Sequence, residues 1–255
     1  MKKEIVISGF GGQGGLAIGK NLAEAGMAEG LNVTWAPSYG PEMRGGTANC
    51  SVVLSDKPVG SPVFAHPTEL IALNEPSLVK FEEGVVPGGM VFVNSDVVTD
   101  KVSRTDLTAY YIPCSQIADE VGNPKVSNMV MLGAYVAGTK VLKAETIEKM
   151  IQEMFTGAKA KFVPLNIEAF RRGINNTIGI CFSVLLVGVV RELLAEGTVF
   201  GNVVFPVAPL PLADQPGTGF IIIGLIAAVW TAIGGAYVHY KIEEVRHLYG
   251  NKRKR

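Results

Sequence analysis

The chain has 255 residues, which is long enough for one large domain or two small ones. Its 23 basic and 23 acidic residues give no net charge at pH 7, so no global field attracts nucleic acid and we predict no nucleic-acid partner. Apolar residues make up 48% of the chain and charged residues 18%, and the apolar excess lies after residue 173. The composition therefore predicts a soluble domain followed by a more hydrophobic region.

The first predicted elements are a strand, a glycine-rich turn and a helix. A β-branched run at 4–8 predicts the strand, and Leu16, Leu22 and Met27 recur at helical spacing after the turn. Further strands are predicted at 32–36, 47–54, 70–73, 90–94 and 109–112, and further helices at 115–121, 127–142 and 144–155. Alternating strands and helices predict an α/β, Rossmann-like domain over residues 1–173, with a parallel or mixed sheet and helices on both faces.

The glycine loop contains Gly9, Gly11, Gly12 and Gly14, and lies directly after the first strand. The first, second and fourth of these glycines match the G-x-G-x-x-G pattern that can hold a pyrophosphate on helix N-terminal amides. A dinucleotide site also needs an acidic residue at the end of the second strand, but that strand ends in Ala36–Tyr39. The missing acid favours a tight turn for close packing or a subunit contact, and nucleotide binding stays as an alternative.

The loop after the second strand combines polar side chains with glycines, namely Tyr39, Glu42, Arg44, Gly45 and Gly46. Glycines let the backbone approach another surface closely, and loops after parallel strands are where α/β sheets place ligands. A functional contact is one interpretation. The alternative is a solvated turn whose glutamate and arginine pair with each other. No spacing of nucleophile and base is visible, so we predict no catalytic residue.

The three cysteines are far apart in sequence. Cys50, Cys114 and Cys181 show no C-x-x-C spacing that could hold an iron–sulfur cluster or zinc within one loop. We therefore predict no metal site in this chain, and reduced, mostly buried thiols of a cytoplasmic protein.

Two apolar segments follow the predicted domain. Residues 174–190 carry no charge, and residues 219–240 contain only His239 as an ionisable group. A transmembrane helix needs about 17 to 25 mainly apolar residues, so we predict a membrane hairpin over 174–255, with spans at 174–194 and 219–240. The alternative is a pair of buried helices in a soluble domain.

Basic residues flank both predicted spans, whereas the connection 195–218 has no lysine or arginine. The flanking residues are Lys159, Lys161, Arg171 and Arg172 on one side and Lys241, Arg246 and the 252–255 run on the other. The positive-inside rule then places the α/β domain in the cytoplasm, at the inner face of the cell membrane. The terminal basic run is interpreted as a solvated tail.

Residues 3–173 resemble the gamma subunit of 2-oxoacid:ferredoxin oxidoreductases, especially the 2-oxoglutarate type. The resemblance is carried by GFGGQGGLAIGKNLAEAGMAEG, SYGPEMRGGTANCSVVL, ALNEPSLVKFEEGVVPGGMVFVNS, YYIPCSQIADEVGNPKVSNMVMLGAYV and FVPLNIEAFRRG. It implies an accessory subunit of an enzyme that oxidatively decarboxylates a 2-oxoacid to an acyl-CoA and passes the electrons to ferredoxin.

The resemblance also implies where the cofactors and partners lie. Thiamine diphosphate, magnesium and iron–sulfur clusters are expected on the alpha and beta subunits, with a delta subunit as a further candidate partner and coenzyme A as co-substrate of the assembly. This chain carries no cofactor of its own and is expected to be inactive alone. The Tyr39–Gly46 loop is then expected to face the partner subunits or the coenzyme A path, with Arg44 as the anion-facing group.

The apolar tail is similar to the last two transmembrane segments of the E subunit of the Rnf electron-transport complex, through IGICFSVLLVGVVRELLAEGTVFG and PGTGFIIIGLIAAVWTA. This similarity implies a tether beside Rnf-like subunits. Three functions therefore stay open: a noncatalytic oxidoreductase subunit held at the membrane, an integral component of an Rnf-like membrane complex, and a nucleotide-binding regulatory domain.

Overall fold

The computed structural model describes residues 1–39 and 47–205, together with Pro209. The chain divides into two compact units, Met1–Gly179 and Ile180–Arg255. The predicted span at 219–240 lies outside the described residues. So do Glu42, Arg44, Gly45 and Gly46 of the predicted functional loop.

The six predicted strands are confirmed, and each observed strand lies within a few residues of its predicted bounds. In chain order the strands and helices are β1 (Lys2–Phe10), α1 (Gly15–Ala28), β2 (Asn32–Tyr39), β3 (Thr47–Ser55), β4 (Glu69–Ala72), α2 (Glu75–Phe81), β5 (Met90–Asn94), β6 (Thr108–Ile112), α3 (Cys114–Val121), α4 (Ser127–Thr139), α5 (Ala144–Met154), α6 (Val163–Glu196), β7 (Thr198–Val199) and β8 (Asn202–Val203). Short 3-10 turns lie at Glu82–Gly84, Pro124–Val126 and Gly157–Phe162. Helix α2 and the first part of α6 were not predicted.

The six long strands form one mixed sheet in the order β2-β3-β1-β4-β5-β6. Strands β1, β4, β5 and β6 are parallel neighbours, whereas β3 runs antiparallel to both β1 and β2. The predicted "parallel or mixed" sheet is therefore mixed. Our expectation that the loop at 40–46 follows a parallel strand is wrong. The loop joins β2 to β3, which are antiparallel neighbours. A connection this short cannot make the crossover that parallel pairing requires.

Helices cover both faces of this sheet, as predicted, and strand β1 shows why. Its successive side chains point to opposite faces. On one face Ile7 lies against α1, where a Cβ added to Gly19 would be 3.3 Å from the Ile7 Cδ1. On the other face Val6 packs in an apolar cluster with Leu78 of α2. Because β1 is covered on both sides, its core residues are a continuous apolar run rather than an alternating one.

The first part of α6 packs tightly on α4 within the α/β unit. A Cβ added to Gly173 would lie 2.0 Å from the carbonyl oxygen of Val130, and one added to Gly133 would lie 2.0 Å from that of Phe170. The two helix backbones therefore meet at a pair of glycines, where no side chain fits. Thr177 is the last buried residue of α6, so the apolar segment predicted to begin at 174 starts inside the folded domain.

The two arginines before the first predicted span form ion pairs within the α/β domain. Arg171 donates to Glu148 through Nε and Nη2, at 2.6 and 2.7 Å. Arg172 donates to Glu168 at 2.9 Å and to Glu120 at 3.1 Å. Their charges are thus balanced by carboxylates on the same unit. The positive-inside rule counts lysines and arginines rather than net charge, so these ion pairs do not test that prediction, which stays a prediction.

By length and composition, one helical stretch among the described residues could cross a membrane. It runs from Lys159 to Glu196, and its most apolar window has a mean hydropathy of 2.1 with none of its residues buried. Within it Ile178, Phe182 and Leu185 are all more than half exposed. This stretch contains the predicted span at 174–194.

Candidate functional site

The carboxyl edge of the parallel strands holds a polar cleft. Helix α1 follows β1 onto one face of the sheet and α2 follows β4 onto the other, so the neighbouring strands β1 and β4 border a topological switch point. Open α/β sheets bind ligands at such points. The cleft has a volume of about 200 Å³ and is lined by Gly12, Gln13, Leu73, Asn94, Val97, Cys114, Ser115, Ser127 and Asn128. These residues follow β1, β4, β5 and β6 or begin α4.

Gln13 closes the glycine loop onto itself, a role that the sequence did not reveal. Its side-chain Oε1 accepts a 2.6 Å hydrogen bond from the Phe10 N–H, and its Nε2 donates a 3.1 Å bond to the Leu73 carbonyl. Its backbone N–H donates to the Phe10 carbonyl at 3.1 Å. One side chain therefore ties the turn after β1 to the end of β4.

Close packing accounts for two of the four glycines in this loop, Gly9 and Gly14. A Cβ on Gly9 would lie 2.7 Å from the Gln13 Oε1, and one on Gly14 would lie 2.7 Å from the Asn128 Cβ at the start of α4. Gly12 has a φ of 103° with open space around it, so its backbone conformation is the constraint there. Gly11 lies in the same turn. This geometry favours the packing interpretation over a pyrophosphate cradle.

The predicted functional loop begins and ends beside the glycine loop. Tyr39, the last residue of β2, pairs with Ala48, and Thr47 of β3 pairs with Phe10 of β1. Tyr39 and Thr47, the described residues on either side of 40–46, therefore lie at the same edge of the sheet as the cleft. The sequence had suggested two separate loops, and the topology brings their ends together.

A second set of polar residues at this edge was missed by the sequence analysis. The Asn74 Oδ1 accepts a 3.0 Å hydrogen bond from the Ser77 N–H and caps α2. The Ser77 hydroxyl donates to that of Ser8 at 2.8 Å. An asparagine followed closely by a proline is a helix-start signal that would have located α2. The Asp96 Oδ2 accepts hydrogen bonds from the Ser115 and Gln116 N–H groups at 2.6 and 3.0 Å, and so caps α3.

The prediction of mostly buried thiols is confirmed for two of the three cysteines. Burial raises the pKa of the Cys50 thiol to about 11. Burial, reinforced by the nearby Asp96 carboxylate, raises the pKa of Cys114 well above its ordinary value. Both thiols therefore stay protonated at neutral pH and are poor nucleophiles. Cys181 is exposed. In the described ranges, no group of three or more His, Cys, Asp or Glu side chains is placed to hold a metal ion.

The fold and the cleft together define a Rossmann-like α/β domain whose glycine loop is shaped for packing. Residues 4–176 match the family model described as pyruvate ferredoxin/flavodoxin oxidoreductase. Because this match covers more than half of the chain, the chain belongs to the pyruvate ferredoxin/flavodoxin oxidoreductase family.

Relatives with known names agree with this family. The ketoisovalerate oxidoreductase subunit VorA of Methanothermobacter thermautotrophicus is 40% identical over 170 residues, which are 66% of this chain and 35% of VorA. The chain thus spans about a third of the length of that relative. The 2-oxoglutarate synthase subunit KorC of Methanocaldococcus jannaschii is 38% identical over 177 residues, which are 68% of this chain and 92% of KorC.

A solved structure shows the same domain. The gamma subunit of a keto/oxoacid ferredoxin oxidoreductase from Geobacter sulfurreducens superposes with a TM-score of 0.60 and 34% identity, and the match covers 69% of this chain and 99% of that one. The predicted identity of residues 3–173 as a gamma-type subunit is therefore confirmed. The similarity of the tail to an Rnf subunit is not tested by these matches and stays a prediction.

Proposed function

We propose that the chain is the noncatalytic gamma subunit of a multi-subunit 2-oxoacid:ferredoxin oxidoreductase, which converts a 2-oxoacid to an acyl-CoA and reduces ferredoxin. The observation that carries this proposal is the match of the α/β unit to nearly the whole length of KorC and of the Geobacter gamma subunit. Relatives acting on 2-oxoglutarate and on ketoisovalerate align with the same unit. We therefore assign the choice of 2-oxoacid to the partner subunits.

The proposal places the cofactors on those partners. Thiamine diphosphate binds through a magnesium ion, and magnesium prefers carboxylate and carbonyl oxygens. We assign this cofactor to the partner subunits because the family resemblance implies it. Two carboxylates on the segments that follow β4 and β5 accept from backbone N–H groups: the Glu75 Oε2 from Thr99 and the Asp96 Oδ2 from Ser115.

Reconstitution tests this function directly. The alpha and beta subunits would be assembled with and without the full chain, and 2-oxoacid-dependent reduction of ferredoxin would be measured in the presence of coenzyme A. We expect activity only when the chain is present, and none from the chain alone. Equal activity in both assemblies would rule out an essential accessory role.

We also propose that the Tyr39–Gly46 loop faces the partner subunits or the coenzyme A path. Support comes from the described residues at its boundaries, Tyr39 and Thr47, which lie at the carboxyl edge that also holds the glycine loop and the cleft. Arg44 would then supply a fixed positive charge to a phosphate or carboxylate.

Replacing Arg44 by alanine tests this role. Loss of a hydrogen bond to a charged group costs about 1.5 to 3 kcal/mol, so we expect the KM for coenzyme A to rise by about tenfold or more, or assembly to weaken similarly. The matched control is Lys57→Ala, because Lys57 follows the opposite end of β3. Unchanged coenzyme A dependence together with unchanged assembly would contradict the proposal.

A second function, attachment to the membrane, is favoured by the exposed apolar half of α6. Among the described residues of the helix from Ile178 to Glu196 none is buried, although the helix has the length and composition of a membrane span. We propose that this half, with the apolar segment at 219–240, holds the subunit at the inner face of the cell membrane.

The natural thiol of Cys181 provides a test of attachment. It is exposed in the chain, whereas Cys50 and Cys114 are buried. In membrane vesicles we expect a charged, water-soluble maleimide to leave Cys181 unmodified, and the same reagent to modify it after the bilayer is dissolved. Modification in intact vesicles, or recovery of the chain in the soluble fraction, would exclude the tether. Co-purification with Rnf-like subunits would favour the alternative that the chain is an integral component of an Rnf-like membrane complex.

A further inference from the structure

The residues that follow α6 fold back as a β-hairpin seated on the end of the helix. Gly197 has a φ of 73°, and its N–H donates to the Leu193 carbonyl at 3.1 Å. The carbonyl of Gly197 accepts from the N–H groups of Val204 and Phe205, at 2.8 and 2.9 Å. Strands β7 and β8 pair in antiparallel register between these points. The helix end and both ends of the hairpin therefore share one set of hydrogen bonds.

The carboxylate of Glu192, near the end of α6, holds the hairpin through two hydrogen bonds. The Oε1 of Glu192 accepts from the Thr198 hydroxyl and from the Gly201 N–H, both at 2.9 Å. Positive φ angles of 50° at Phe200 and 74° at Gly201 make the tight two-residue turn that hairpins favour. The polar groups at this junction are thus turned toward one another.

The outer surface of the hairpin is apolar. Phe200 is 70% exposed and Val203 74% exposed, and Val204 and Phe205 are about half exposed. Each square ångström of apolar surface left in water costs about 25 cal/mol. Exposed apolar side chains concentrated in one short segment indicate an interaction site. Residues 197–205 include no charged residue, so the hairpin lacks the charges that would keep it in water.

The length of α6 indicates what covers this surface. About 19 residues follow Thr177, which is buried in the α/β unit, and at 1.5 Å per residue they span about 28 Å. That distance is close to the 30 Å thickness of a bilayer core. Gly197 and the hairpin then begin at the far interface, where a turn is accepted if its backbone groups are hydrogen-bonded.

We propose that the hairpin 197–205 lies in the interface of the lipid bilayer, with Phe200, Val203, Val204 and Phe205 inserted between the lipids. This inference rests on the proposed membrane attachment and adds a second lipid contact to it. The hairpin would set the depth at which α6 stops, as aromatic side chains do at membrane interfaces.

Depth-dependent quenching in proteoliposomes tests the inference on the full chain. Three chains each carry one reactive thiol for an environment-sensitive fluorophore: the natural Cys181, Phe200→Cys with Cys181→Ser, and Val63→Cys with Cys181→Ser. Cys50 and Cys114 are buried and stay unlabelled. Val63 is 73% exposed on the α/β unit and is the matched apolar control. Lipids with a nitroxide near the head group serve as quenchers.

We expect the label at position 200 to be quenched about threefold more strongly than the label at position 63, and the label at 181 to be quenched by nitroxides deeper in the acyl chain. Quenching at 181 with none at 200 would overturn the hairpin proposal and leave the membrane attachment intact. No quenching at either position would overturn both. Protection of position 200 from lipid and from water-soluble quenchers alike would show that a protein surface covers it, and would also overturn the proposal.

Discussion

Helix α6 has two halves that differ in where their apolar side chains lie. In the first half Phe170 is fully buried, whereas in the second Phe182 is 56% exposed. A Cβ added to Gly173 would clash with the backbone of α4, whereas one added to Gly188 would meet no described atom within 4 Å beyond its own stretch of helix. Both halves carry a phenylalanine and a glycine, but these residues meet different neighbours. A helix half that is apolar yet exposed among the described residues is expected to have a further covering surface.

The largest expected difference between the two halves is in the stability lost when a phenylalanine side chain is removed. Phe170→Ala should lower the free energy of unfolding of the α/β unit by about 3 to 5 kcal/mol, because it removes a fully buried ring and leaves a cavity. Phe182→Ala should change it by less than about 0.5 kcal/mol. Urea unfolding of the full chain in detergent measures both. Equal losses would mean that the second half is as well packed as the first.

Gly173 and Gly188 allow the same comparison of the two halves of α6 at glycine positions. Gly173→Ala should destabilise the α/β unit by about 3 kcal/mol, because the new Cβ would lie 2.0 Å from the Val130 carbonyl oxygen and α4 would have to move. Gly188→Ala meets open space and should be neutral or slightly stabilising, since alanine favours helix by about 1 kcal/mol over glycine. Tolerance of Gly173→Ala would disprove the close crossing of α4 and α6.

A smaller effect is expected at the glycine loop. Gln13→Ala removes the side-chain bonds to Phe10 and Leu73 and should cost about 1 to 2 kcal/mol. It should also speed hydrogen exchange at the Phe10 N–H. Gln116→Ala is the control, because the Gln116 side chain makes a single exposed bond to Glu120. If Gln13→Ala left exchange at Phe10 unchanged, Gln13 would not be the residue that closes the loop.

The smallest effect concerns the surface ion pair of α6 and α5. The hydrogen bond from Arg171 lowers the pKa of Glu148 below its ordinary value of 4.5. A carboxylate with a lowered pKa adds stability above its unfolded pKa and loses it as the pH falls through the folded pKa. Glu148→Gln should therefore be slightly less stable than the parent at pH 7, with the difference vanishing at strongly acidic pH. A difference that persisted there would have a cause other than the ion pair.

The sequence located the six strands of the large sheet because each predicted run contains β-branched or aromatic residues and has a glycine, proline or asparagine next to at least one end. It did not locate α2, which has seven residues and no clear periodicity. Nor did it show that Arg171 and Arg172 belong to the folded domain, because their partners Glu148 and Glu120 are distant in sequence. Side-chain pairing across elements depends on tertiary contacts that composition cannot reveal.

The candidate site was predicted less completely than the fold. The glycines were recognised, and the missing acid after β2 directed the interpretation toward packing. The part played by Gln13 was not visible, because it depends on the Leu73 carbonyl at the end of a neighbouring strand. The cleft was also missed, since it is assembled from residues that follow four different strands.

The most direct test of the account is affinity purification of the tagged full chain from detergent-dissolved membranes, followed by identification of its partners and a ferredoxin-reduction assay. We predict co-isolation of thiamine-dependent subunits together with 2-oxoacid-dependent, coenzyme A-dependent ferredoxin reduction. A chain ending at Gly179 should retain these partners and lose the membrane, because the family match covers residues 4–176 and the first compact unit ends at Gly179. Isolation of the full chain without thiamine-dependent partners or 2-oxoacid activity would contradict the account.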